Sequence, residues 1–177
     1  MTKALSDAIM LSIAGQKPKR GPIQGDDAKN RARLFFKRHF GSRASRIDAF
    51  RESISLAKGR ENAVRAVFRN SARLARLLEK EAEGKMVPEN RRNLYSEASN
   101  AWMQANVFSA IACRGQPNLY NARSMRSAAL AHGAMNNFGP AAANMELAYG
   151  YFIKADAWHQ ACDALLAAAE YRHKAGD

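Results

Sequence analysis

The sequence predicts an all-α fold: a basic N-terminal helical unit followed by stacked antiparallel helical hairpins. Three observations predict it. Alanine is abundant, most of all after Tyr95; apolar residues recur at three- and four-residue spacing; and segments holding glycine and proline separate the periodic stretches. With 177 residues, 47% of them apolar and 25% charged, the chain has the length and composition of a body with a real core.

Residues 1–26 read as a short helix and a basic tether. Leu5, Ile9 and Ile13 recur every fourth residue up to Gly15. Gly15 to Pro22 then carries two prolines, two glycines and the cations Lys17, Lys19 and Arg20, a composition that holds no helix.

Residues 27–87 read as a basic three-helix unit. Its first helix, at about 27–40, opens on Asp26 and Asp27 as caps and stops at Gly41. Ala32, Phe35, Phe36 and Phe40 form the expected core face, with Lys29, Arg33 and Lys37 on another. A second helix, at about 45–58, starts on a capping box of Ser45 and Asp48 and lines Ile47, Phe50, Ile54 and Ala57 along one side as far as Gly59. The third and longest, at about 60–83, places Val64, Val67, Phe68, Leu74, Ala75 and Leu78 on one broad arc. The short helix, the turn at Gly59 and the long helix loosely match a helix-turn-helix.

Residues 88–177 read as an alanine-rich, repeat-like unit of helical hairpins packed as one body with 27–87. Leu94, Ala98, Ala101, Ala105, Phe108 and Ala112 make one face, ended by Gly115 and Pro117. Met125, Ala128, Ala129, His132 and Met135 make the next, ended by Gly139 and Pro140. Two last helices, at about 140–155 and 157–174, are expected to meet at Asp156 as the cap of the second. A shift of 20 residues superposes Phe138 on Trp158, Ala141 on Ala161, Ala148 on Ala168, Tyr151 on Tyr171 and Lys154 on Lys174. The four alanines let the helix axes approach closely, with Phe152, Trp158 and Leu165 expected to fill between them.

The run from Asp156 to Ala161, followed by Ala168 to Gly176, resembles tetratricopeptide-like helical repeats. That resemblance implies stacked helix pairs and a surface for binding protein. A second set, Glu79 and Gly84, then Ala98, Trp102 and Ala105, then Asn118, Tyr120 and Arg123, resembles small bacterial regulators of the ANR and PerC type, which are often carried on mobile elements. This implies a bacterial regulator; it covers only a small part of the chain and assigns no functional residue.

Charge points to the partner. Between Met1 and Arg92 lie 22 basic and 10 acidic residues, and between Asn93 and Asp177 six of each, so the whole net charge of +12 sits in the first half. Such an excess favours nucleic acid, an anionic membrane or an acidic protein surface as partner. Its sharpest feature is the series Arg65, Arg69, Arg73, Arg76 and Lys80. At 100° per residue these five share an arc of roughly 80° and extend about 22 Å along one helix. No acidic residue falls between Glu61 and Glu79 to neutralise them. The candidate binding residues are therefore Lys17, Lys19, Arg20, Lys29, Arg33, Lys37, Arg65, Arg69, Arg73, Arg76 and Lys80.

Catalytic motifs are missing. The sequence has no phosphate loop, dinucleotide-binding glycine fingerprint or nucleophile elbow, and no convergent polar set, so a non-enzymatic protein without cofactor is expected. His159 and Cys162 share a helical face but have no second ligand pair, which argues against a metal site and makes Cys162 a packing residue. Trp102, Trp158, Tyr149, Tyr151 and Tyr171 read as core. Two cysteines build no disulfide framework, and the apolar stretch Ala8 to Ala14 follows Asp7 and is too short to span a bilayer, so a cytoplasmic protein without membrane insertion is expected. The functional expectation is a regulator that binds nucleic acid through its basic half and a protein partner or itself, as a homo-oligomer, through its hairpins. The alternative is an adaptor or inhibitor that occupies an acidic or nucleic-acid-binding groove of a nucleic-acid-processing complex.

Overall fold

The computed structural model describes residues 25–58, 63–112 and 115–177. The expected first helix and basic tether, with Lys17, Lys19 and Arg20, lie outside the described residues. Regular structure among the described residues is entirely α-helical: α1 (Gly25–Phe40), α2 (Arg43–Lys58), α3 (Val64–Glu83), α4 (Pro88–Ile111), α5 (Pro117–Ala134), α6 (Phe138–Lys154) and α7 (Trp158–Ala175). Each helix packs on the one before and the one after it, so the chain is a stack in sequence order.

Two apolar clusters hold the stack together. The first joins Ile47, Phe50 and Ile54 of α2, Val67, Leu74 and Leu78 of α3, and Ala98, Trp102, Ala105 and Phe108 of α4. The second joins Ala122 and Ala129 of α5 to Met145, Ala148 and Phe152 of α6 and to Ala161, Ala164 and Ala168 of α7. Ala82, Tyr95 and Ala131 pack between α3, α4 and α5. The alanines that carry the 20-residue repeat, Ala141, Ala148, Ala161 and Ala168, are all at most 2% exposed, as close axis approach requires. Gly133 of α5 allows another close approach: a Cβ there would stand 2.5 Å from the Tyr171 hydroxyl of α7.

Helix boundaries follow local chemistry. Pro88 and Pro117 occupy the first turns of α4 and α5, where a missing N–H costs nothing. The ends of α5, α6 and α7 share one device, a Schellman turn. Asn136, Asp156 and Gly176 each have positive φ (59°, 54° and 92°). In each, this residue's N–H bonds three residues back, and the next N–H bonds five residues back, to His132, Phe152 and Arg172 respectively. The turns thus repeat at the same 20-residue interval as the sequence. Asp156 therefore closes α6 rather than capping α7; the residue at the α7 cap is Ala157, without a side-chain cap bond.

Other expectations are corrected. The α2 helix begins at Arg43, and it is Ser42 whose Oγ accepts the Ser45 N–H at 3.3 Å, so the cap lies three residues before Ser45. Asp26 and Asp27 fall inside the first turn of α1 rather than before it. The described α3 helix runs from Val64, and the expected start at Arg60 lies outside the described residues. Leu34 is the buried residue among the described side chains of α1, while Phe35, Phe36 and Phe40 are 49%, 61% and 77% exposed. Trp158 and Leu165 are exposed rather than wedged between α6 and α7, Met135 is exposed, and Cys162 is exposed rather than packed. Trp102 is buried as expected, and Tyr149, Tyr151 and Tyr171 are partly buried against the second cluster.

The α1–α2 corner depends on Gly41. Its N–H bonds the Lys37 carbonyl at 3.1 Å, and a Cβ would fall 2.5 Å from that same backbone oxygen. Backbone has to move to admit a side chain. Gly41→Val is expected to destabilise the fold by about 1–3 kcal/mol and to loosen α1 against α2, measured by chemical denaturation and by amide exchange across 30–40.

Candidate nucleic-acid interface

The five cations of α3 lie where their spacing put them. Arg65, Arg69, Arg73, Arg76 and Lys80 are all exposed, and none forms an ion pair among the described residues. Opposite them, Val67, Leu74, Ala75 and Leu78 are buried. The ridge thus follows from amphipathic folding: burying the apolar arc against α2 and α4 leaves the cations no other face.

Packing turns part of this ridge into a cleft. Between α1, α2 and α3 lies a concave space of about 340 Å³ lined by Arg38, His39, Arg46, Phe50, Arg73, Arg76, Leu77 and Lys80. Five of the eight are cationic, and no carboxylate lines the space among the described residues. Arg69 and Arg65 continue the same helix face beyond it, one and two turns away.

The arginines on the cleft wall are held by few partners. Arg38 donates from Nε to the Leu34 carbonyl at 3.1 Å and from a terminal nitrogen to Asn70 Oδ1 at 3.4 Å, with its guanidinium 5.7 Å from the centre of the Phe50 ring. Burial, and then the neighbouring charge of Arg73, lower its pKa, so its charge sits in an environment that disfavours it. Arg46 Nε is buried with no hydrogen-bond partner. Like charges crowded round a hollow are relieved by an anion in it.

Arg76, though exposed, also reaches over Trp102. Its guanidinium lies 5.8 Å from the Trp102 ring, and that of Arg123 lies 4.9 Å from it. Trp102 donates its indole N–H to Glu79 Oε1 at 2.9 Å, and Ser127 donates its hydroxyl to the same oxygen at 2.7 Å. Tyr120 stacks on Trp102 with ring centres 6.0 Å apart. The Arg123 pKa is lowered by burial first and by Arg76 next, with Glu79 opposing both. Glu79, Trp102, Tyr120 and Arg123 therefore meet at one partly buried node between α3, α4 and α5, beneath Arg76 of the cleft wall.

The expected stripe on α1 is only partly assembled. Arg33 is ion-paired with Glu52 of α2, so its charge is already answered. Lys37 is exposed, and Lys29 lies on α1, its side chain outside the described set. Sequence reasoning missed Arg38, His39 and Arg46, which belong to no repeating series in the sequence. They reach the cleft because burial of Leu34 turns α1, and burial of Ile47 and Phe50 turns α2, toward α3.

Among the described residues, no group of three or more His, Cys, Asp or Glu side chains gathers as a metal site would require, and no helix is long and apolar enough to cross a membrane. Comparison with known proteins finds no protein-family model, no curated protein and no solved structure that matches the chain.

Proposed function

We propose that the chain is a non-enzymatic regulatory protein that binds nucleic acid through the α1–α3 cleft and the α3 ridge, and that α4–α7 form its scaffold and docking face for a protein partner or a second copy. The observation that carries this reading is the lining of the cleft: Arg38, Arg46, Arg73, Arg76 and Lys80 converge on one hollow without an acidic neighbour in the lining. Phosphate groups supply the charge that such a surface lacks, and their release of counterions drives binding. The resemblance to small bacterial regulators supports a regulatory role in the bacterial cytoplasm, and the stacked hairpins support the docking role.

The test is a titration of mixed-sequence DNA and RNA across a salt series. If the five cleft cations each neutralise a phosphate, log affinity falls against log salt with a slope of about −3 to −5. Absence of salt-sensitive binding at micromolar protein overturns the proposal. Binding confined to an acidic polypeptide such as poly-glutamate shifts the partner to an acidic protein surface.

A further inference from the structure

Next to the cleft lies a feature that phosphate binding leaves without a role. On α1, Phe35, Phe36 and Phe40 are all exposed, which is costly on a helix that has only Leu34 fully buried among its described side chains. The rings form a cluster: Phe35 to Phe36 and Phe36 to Phe40 are each 5.9 Å between centres, and His39 stacks on Phe35 at 4.2 Å. His39 also lines the cleft, so the aromatic cluster and the cationic hollow share a border. The His39 ring is fixed there by the bond its Nδ1–H donates to the Phe35 carbonyl at 2.8 Å.

From this juxtaposition we infer that the ligand is single-stranded nucleic acid, with phosphates in the cleft and unpaired bases stacked on Phe35, Phe36 and Phe40. The inference rests on the nucleic-acid reading above and specifies its substrate class. A duplex hides its base faces within its own stack, and its bases give exposed phenyl rings nothing to hold. A single strand offers, at every nucleotide, one phosphate and one flat π-face, and a surface with cations on one side of a border and aromatic rings on the other matches that alternation. A purely apolar protein partner would account for the rings and leave the adjoining cations uncompensated.

The test compares a single-stranded oligonucleotide of mixed sequence with the duplex made from it, for the full chain and for the Phe36→Ala/Phe40→Ala variant. Both rings are exposed, so the variant is expected to keep its melting temperature. Single-strand affinity should fall on the order of 30-fold while duplex affinity changes less than about twofold, and Phe36→Tyr/Phe40→Tyr should restore single-strand binding. Equal affinity for the two ligands with no effect of the alanine variant overturns the single-strand inference and leaves the nucleic-acid reading standing. Failure of both ligands to bind with salt sensitivity overturns the two together.

Discussion

The Arg73→Glu/Lys80→Glu variant is expected to lose on the order of 100-fold in affinity for polynucleotide at low ionic strength, and the slope of log affinity against log salt should flatten by about two. Both side chains are exposed and line the cleft, and neither forms an ion pair among the described residues, so reversal removes two phosphate contacts and adds two repulsive charges without unpairing a carboxylate. The bond that Arg43 donates at 3.1 Å goes to the backbone carbonyl of Lys80, which the substitution retains. Net charge alone is controlled by Lys154→Glu/Lys174→Glu, an equal change on exposed residues of α6 and α7. Screening over the distance to the cleft should hold the loss there under about threefold. An equal loss in both variants would mean that overall charge, not the cleft, binds the ligand.

The second large effect is on stability. Glu79→Ala is expected to cost about 2–4 kcal/mol and to lower the melting temperature by roughly 5–10 °C. One carboxylate oxygen satisfies both the buried Trp102 N–H and the Ser127 hydroxyl, and the charge acts on Arg123, whose guanidinium lies over the same indole. Removing the side chain leaves a buried donor unpaired and Arg123 without a nearby counter-charge. Glu79→Gln keeps an acceptor and loses only the charge, so it should cost about half as much. Trp102 fluorescence followed through urea denaturation measures both. A Glu79→Ala variant as stable as the parent would show that the node does not hold the cleft wall.

Where apolar periodicity was strong, the fold was legible. The faces of α2 and α3, with Ile47, Phe50, Ile54, Val67, Leu74 and Leu78, and the close alanine contacts of α6 and α7 follow directly from spacing. Errors arose where polar or small residues were buried instead. In α5 the buried set is Ala122, Ser124, Ser127, Ala129 and Ala131, in place of a face through Met125 and Met135. The Ser124 and Ser127 hydroxyls are satisfied by the Ser99 carbonyl, the Arg123 carbonyl and Glu79, which makes serine as easy to bury there as alanine. In α1, three phenylalanines pointed to a core face, yet tertiary packing buried Leu34 and left the rings outside.

The candidate site was half legible. The ridge belongs to one helix, so its periodicity exposes it. The cleft belongs to three, and Arg38 and Arg46 enter it through the angles at which α1 and α2 meet α3, which no spacing within a single helix encodes. Arg33 shows the converse: a member of the basic stripe by spacing, it is answered by Glu52, which comes from the next helix.

The most direct test maps the ligand onto the chain. In a nuclear magnetic resonance titration of the labelled full chain with a short single-stranded oligonucleotide, shifts are expected at the guanidinium and backbone signals of Arg38, Arg46, Arg73 and Arg76 and at the rings of Phe36 and Phe40, with α6 and α7 unmoved. Shifts centred on α6 and α7, or none in the α1–α3 cleft at saturating oligonucleotide, would contradict the cleft as the binding site.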